Sequence, residues 1–164
     1  MNYLLDANTF IEAKNRYYSM LVCPGYWEWM LKNNVAGQVA SIDMVKQELE
    51  RGNDELKEWS KKNSQMFIGV SDEKTQDTFS EIATYAASLD MKPGALDEFL
   101  GCADPWLVAK ARATGAVVVT HESYIPGIKK KILIPNVCRY FGVSYMNTFE
   151  LLHKLEAEFV LGAA

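Results

Sequence analysis

Short apolar runs alternate along this chain with longer segments in which apolar residues recur every three or four positions. The first run, Tyr3-Leu4-Leu5, predicts a strand, and Thr9 to Tyr18 predicts a helix after it. Pro24 opens a second helix, Gly25 to Asn34, and Gly37 closes it, which is the expected asymmetry of the two residues. Gln38 to Ile42 predicts a strand. Asp43 to Arg51 predicts a helix ended by Gly52, and Asp54 to Lys62 a further helix. Met66 to Val70 is a short β segment. Phe79, Ile82, Ala83 and Ala86 give Asp72 to Leu89 helical periodicity. Met91-Lys92-Pro93-Gly94 predicts a turn, Asp104 to Thr114 a helix, and Ala116 to Thr120 a strand. Pro126-Gly127 interrupts the chain before Ile132-Leu133-Ile134. Pro135 to Phe141 predicts a short helix, Val143 to Met146 a last strand, and Asn147 to Phe159 a last helix. Strands separated by helices imply an α/β fold with a parallel sheet covered on both faces. The pattern leaves the order of the strands open.

Composition narrows the class. A chain of 164 residues is expected to form one domain, residues 1–164, and buries roughly 70% of its unfolded surface without a disulfide or metal staple. The net charge of −4 argues against a generally basic nucleic-acid coat. It leaves room for a nucleic-acid enzyme whose acids are neutralised by a divalent ion. Cys23, Cys102 and Cys138 are widely spaced and form no CxxC pair, so free thiols in a reducing cytoplasm are expected rather than zinc or disulfides. No basic, apolar leader opens the chain. No run approaches the roughly 20 apolar residues of a membrane helix. A cytoplasmic protein is expected.

The candidate chemistry lies in acids at the ends of elements. Asp6 ends the first strand, where ligands bind in open α/β sheets. Its bland alternative is an N-cap, although Asn8 and Thr9 offer caps immediately after it. Asp104 precedes Pro105 and is read as the N-cap of its helix, a role compatible with ligation. Glu48 lies about 60° from Val45, at the edge of a stripe formed by Ile42, Val45 and Leu49, while Glu50 points away from that stripe. Glu122 follows the most apolar strand as Asp6 follows the first. Asp97 and Glu98 are decoys in the segment leading to Asp104. Oxygen donors of this kind suit Mg²⁺ or Mn²⁺, one ion or two.

Together these segments resemble the PIN-domain ribonucleases. Leu4-Leu5-Asp6-Ala7-Asn8-Thr9-Phe10-Ile11 resembles their opening motif, and Val45-Lys46-Gln47-Glu48-Leu49 their helical glutamate segment. Ala103-Asp104-Pro105-Trp106-Leu107-Val108-Ala109 resembles their central aspartate motif. Val118-Val119-Thr120-His121-Glu122 resembles their later strand with its Thr and further acid. Thr-His-Glu followed by Ile134-Pro135-Asn136-Val137-Cys138 is most similar to the PIN-like DUF4411 group, some members of which are encoded beside antitoxins. Many PIN nucleases carry Asp where this chain has Glu122.

The resemblance implies a three-layer α/β/α, Rossmann-like fold. It also implies Mg²⁺- or Mn²⁺-dependent cleavage of single-stranded RNA by metal-activated water, a VapC-like toxin role with an antitoxin partner, and a homodimer. Asp6, Glu48, Asp104 and Glu122 would then be the catalytic metal ligands, with Asn8 and Thr9 positioning the substrate. Lys14, Arg16, Lys129, Lys130 and Lys131 are candidate RNA-backbone contacts, against the plainer reading of solvated charges. Tyr17, Tyr18, Tyr124, Trp27 and Trp29 are candidate base-stacking residues, with Trp27 better placed in a core. Two rival readings stand beside this one. A catalytically inactive PIN-like module would bind without cutting. A haloacid-dehalogenase-like phosphatase would use Asp6 as nucleophile, but it lacks a second acid at Asn8.

Overall fold

Among the described residues, five short strands form the central sheet: β1 (Tyr3–Leu5), β2 (Val39–Ile42), β3 (Phe67–Ile68), β4 (Val117–Val119) and β5 (Tyr145–Met146). All neighbours pair in parallel, in the order β3-β2-β1-β4-β5. This computed structural model describes residues 2–162. Every residue of β1 and β2 is buried. Successive strand residues point to opposite faces, so the sheet is covered on both sides, as the unbroken apolar runs predict.

The helices are α1 (Ala7–Glu12), α2 (Pro24–Val35), α3 (Asp43–Arg51), α4 (Glu55–Lys62), α5 (Glu73–Ser88), α6 (Ala95–Leu100), α7 (Asp104–Thr114), α8 (Ile134–Phe141) and α9 (Thr148–Lys154). The helix α7 packs against β1, β2, β4 and α5. Its Leu107, Val108, Ala109 and Ala111 are fully buried, which is why this segment is apolar around most of its circumference. Gly115, at φ 76°, ends it in the left-handed conformation that glycine adopts without a Cβ clash.

Several boundaries differ from the sequence expectation. The predicted helix Thr9 to Tyr18 begins at Ala7 and changes at Ala13 into a π-helical turn, Ala13–Tyr17. The Tyr18 N–H donates to the Ala13 carbonyl at 2.7 Å, a five-residue step. The helix α6 was not expected, because only Ala95 and Phe99 of its six residues are buried and so short a segment shows little periodicity. The last helix stops at Lys154 instead of Phe159. The Ala157 N–H turns back to the Leu152 carbonyl, and Glu156 takes a positive φ of 49°.

Candidate active site

The chain runs outward from β1 in two directions, to β2 and β3 on one side and to β4 and β5 on the other. The order therefore reverses between β1 and β4, and a crevice opens beyond the carboxyl ends of strands at such a point. Asp6 leaves β1 there, and Thr120 to Glu122 leave β4 beside it. The Asp6 N–H donates to the Val119 carbonyl at 2.9 Å and locks the two ends together.

Asp6 stands at the N-cap position of α1, yet its carboxylate makes no capping bond. Instead, Oδ2 accepts from the Thr120 hydroxyl at 2.9 Å. Thr120 is the hub of the crevice, because its Oγ1 also accepts from Asn8 Nδ2 at 3.3 Å and from the Glu122 N–H at 3.1 Å. Asn8 Oδ1 accepts from the His121 N–H at 3.2 Å. Asn8 therefore holds the β4 exit in shape. Thr9 is corrected as a substrate-positioning residue: it is wholly buried, and its hydroxyl donates to the Asp6 carbonyl at 2.7 Å. Its contribution is to close the first turn of α1. Thr120 stands among these residues although the sequence reading placed it only in the later strand motif and not among the candidate site residues. Its position two residues before Glu122 at the end of an apolar strand was the available signal.

Glu48 projects from α3 toward the start of α7, where Oε1 accepts from the Ala103 N–H at 2.7 Å. Val45 and Leu49 are buried in phase with it, whereas Glu50 pairs with Lys46 at 3.6 Å. Asp104 is the first residue of α7, not its N-cap. Ala103 takes that position, with Pro105 second in the helix. Glu122 Oε2 accepts from the Ile134 N–H at 2.8 Å, at the opening of α8. Glu48, Asp104 and Glu122 line a cleft of about 170 Å³, with Cys102, Glu98 and Lys131 among the other residues around it. Glu98, a decoy by sequence, is thus at its rim and pairs with Lys131 at 3.4 Å. Asp6 does not line the cleft and is 4% exposed.

The electrostatics of these acids are unfavourable as they stand. Burial holds the Asp6 carboxyl well above the usual range, and the charges of Asp104 and Glu122 push it further, against the Thr120 hydrogen bond. Burial raises Asp104 to about 7, with Glu122 and Glu48 adding to the rise and Lys131 opposing it. Burial also raises Glu122, opposed by its Ile134 hydrogen bond and by Lys131. Among the described residues none of the four acids forms an ion pair. Unpaired carboxylates of this kind are stabilised by a cation, and an all-oxygen set suits a hard one. No three acid, His or Cys side chains are already gathered into a ligand cage among the described residues. Glu48 and Glu122 are each held through one carboxylate oxygen by a backbone N–H, which leaves the second oxygen of each free of that bond.

The basic candidates are more dispersed. Lys14 pairs with Asp54 at 2.7 Å and Arg16 with Glu12 at 3.2 Å. Lys129 pairs with Asp90, and Lys130 is exposed with no ion pair among the described residues. Trp27 is in the core, as expected, while Tyr17 and Tyr124 are exposed. All three cysteines are free thiols, and burial pushes Cys102 and Cys138 up to about 12. Among the described residues no helix is long and apolar enough to cross a membrane.

The family model described as a domain of unknown function, DUF4411, matches residues 3–159. No curated protein matches the sequence at a significant level. Among the solved structures that share the fold are two VapBC complexes. A chain of VapBC2 from Rickettsia felis, in a structure bound to a DNA fragment from their promoter, is 18% identical, with a TM-score of 0.55 over 90% of this chain and 98% of that one. A chain of VapBC-1 from nontypeable Haemophilus influenzae is 12% identical, with a TM-score of 0.54 over 90% and 98%.

Proposed function

The chain belongs to the DUF4411 family and has a PIN-like fold, and from that premise we propose that it is a Mg²⁺- or Mn²⁺-dependent endoribonuclease, the VapC-like toxin of a toxin–antitoxin pair. The observation that carries the reading is the set of unpaired acids at the β1–β4 switch point, where burial raises Asp6, Asp104 and Glu122 and the charges of neighbouring acids add to the rise at Asp6 and Asp104. Fold likeness alone does not give an activity.

Asp6, Glu48 and Asp104 would hold the ion, with Glu122 completing the set directly or through water. A bound divalent ion acidifies water and offsets charge on phosphoryl oxygens. The residues of the chain supply the geometry. Thr120 fixes the Asp6 oxygen, and Asn8 fixes Thr120 and the His121 backbone. The buried floor keeps the carboxylates from being screened by solvent. Lys131, at the cleft, and Lys130, on the same loop, are the cations best placed to meet a phosphate backbone. Single-stranded RNA is the proposed substrate, and an antitoxin protein and a second copy of the chain are the proposed partners.

Incubation with mixed single-stranded RNAs and Mn²⁺, followed by end-group analysis, tests the reading. Internal cuts leaving a 5′-phosphate and a 3′-hydroxyl are expected, and EDTA abolishes them. Equal RNA binding with and without the ion, and no cuts, would establish a binding module instead.

A further inference from the structure

A second cleft, of about 490 Å³, opens beside the acids and shares Thr120, His121 and Glu122 with them. Its volume lies within the roughly 300–1,000 Å³ of small-ligand sites. One wall is formed by His121 and Phe149, and Tyr17 packs beside both rings. The His121 and Phe149 rings lie 5.8 Å apart between centroids. Tyr17 meets Phe149 edge-on at 5.1 Å and lies 6.3 Å from His121. Tyr17 remains 50% exposed and Phe149 39%, so both rings keep surface that packing within the chain leaves unused.

The wall is built rather than incidental. Tyr17 is the last residue of the π-helical turn, a rare backbone form that shifts the register of the residues carried after it. The His121 ring is held by Thr148 Oγ1, 3.0 Å from Nε2, and its backbone by Asn8. Phe149 stands in the first turn of α9, which a two-way capping box fixes. Tyr124, among the residues around the same cleft, carries the Arg139 guanidinium 4.0 Å from its ring centroid. That places a cation near a cleft whose charged lining includes the acids Glu122 and Glu150.

We infer that this cleft receives the unpaired base of a nucleotide next to the scissile phosphate, stacked against His121 and Phe149, whose rings Tyr17 backs. The inference rests on the ribonuclease reading. The occupant follows from continuity with the acids: His121 lies between Thr120, which is bonded to Asp6, and Glu122. Any base can stack on aromatic rings, so the site tolerates sequence and demands a single strand. A paired base has no free face to offer.

The test uses short single-stranded RNAs carrying 2-aminopurine at successive positions, whose fluorescence is quenched on stacking. Binding is read in Ca²⁺ and cleavage separately in Mn²⁺. The wild-type chain is expected to quench the probe at one position. The Tyr17→Leu, Phe149→Leu double variant, which keeps apolar bulk but removes two rings, is expected to lose the quench and bind about tenfold more weakly. RNA abasic at that position should bind both proteins alike. In cleavage the variant should raise KM more than it lowers kcat. Phe149→Leu alone, at a partly exposed position that lines the cleft, carries the test if the double variant melts early. RNA binding by the wild type without quenching, or an undiminished quench in the variants, overturns the base site. Cleavage with an undiminished quench would sink the base site and leave the ribonuclease reading standing. A quench that the variants remove, in a wild-type protein that never cuts RNA, would sink the ribonuclease reading and leave the base site.

Discussion

A single hydroxyl, that of Thr120, governs how the most buried acid is presented. It donates to Asp6 Oδ2 and accepts from Asn8 and from the Glu122 N–H. Replacing Asp6 by Asn leaves an oxygen to accept from Thr120 but removes a charge that burial and two neighbouring acids oppose. Asp6→Asn should therefore lose RNA cleavage and melt at a higher temperature than wild type in EDTA near neutral pH. A lower melting temperature would show that the charge is needed for packing. Glu48 and Glu50 form a matched pair on α3. Glu48→Gln keeps an acceptor for the Ala103 N–H, so it should fold normally yet lose Mn²⁺ binding and cleavage. Glu50→Gln breaks only a half-exposed pair with Lys46, worth at most about 1 kcal/mol, and should be near neutral in both. Calorimetric Mn²⁺ titration of the two variants decides it, and the reverse ranking would move the site off this face of α3.

Elements place these side chains by how they begin and end. The helix α9 has seven residues, too few to be stable by propensity. Its capping box compensates: the Glu150 N–H donates to Asn147 Oδ1 at 2.9 Å, and the Asn147 N–H donates to Glu150 Oε2 at 2.8 Å. Asn147→Ala should cost about 1 kcal/mol in urea unfolding, while Asn147→Asp should be close to neutral. An alanine variant as stable as wild type would mean that burial of Thr148, Leu151 and Leu152 holds α9 unaided. The helix α7 differs in kind. Its first residue is a site acid and most of the rest is core, so one element joins the chemistry to the packing. Periodicity revealed α5 in the sequence because a long apolar face repeats. It missed α6 because six residues bury only two side chains.

For the whole molecule, the acids make stability depend on pH. Asp6, Asp104 and Glu122 all bind protons more tightly folded than unfolded. Between the unfolded Asp value of about 3.9 and the folded Asp104 value of about 7, the native state carries the extra protons. Stability from these groups is then fully present below the unfolded value and is lost as pH rises through the folded one. Asp54 and Asp72 act in the opposite sense. Their Lys14 and Lys110 partners lower them, Asp72 to about 2, so their contribution is lost only in stronger acid. The melting temperature in EDTA should accordingly fall from about pH 5 to about pH 8. Mn²⁺ should flatten that decline by replacing the protons. A melting curve in EDTA that rises across this interval would contradict the electrostatic account of the cleft.

The sequence by itself determined the class of the fold and the identity of its strands. Unbroken apolar runs mark β1 and β4, because strands buried on both faces must be apolar at consecutive positions. Asp6 was legible for the same reason: a charge ending such a run has no place in the core. Local pattern could not give the strand order, since β1 pairs with both β2 and β4 across more than thirty and more than a hundred residues of chain. Only the tertiary structure put the exits of β1 and β4 side by side, gave Thr120 its three partners and turned Glu48 onto the Ala103 N–H. It also decided against Thr9, whose hydroxyl the sequence offers and burial removes. Long-range pairing makes neighbours of residues that share no local signal, and so the acids can be nominated from the sequence while the crevice they share is a property of the folded chain.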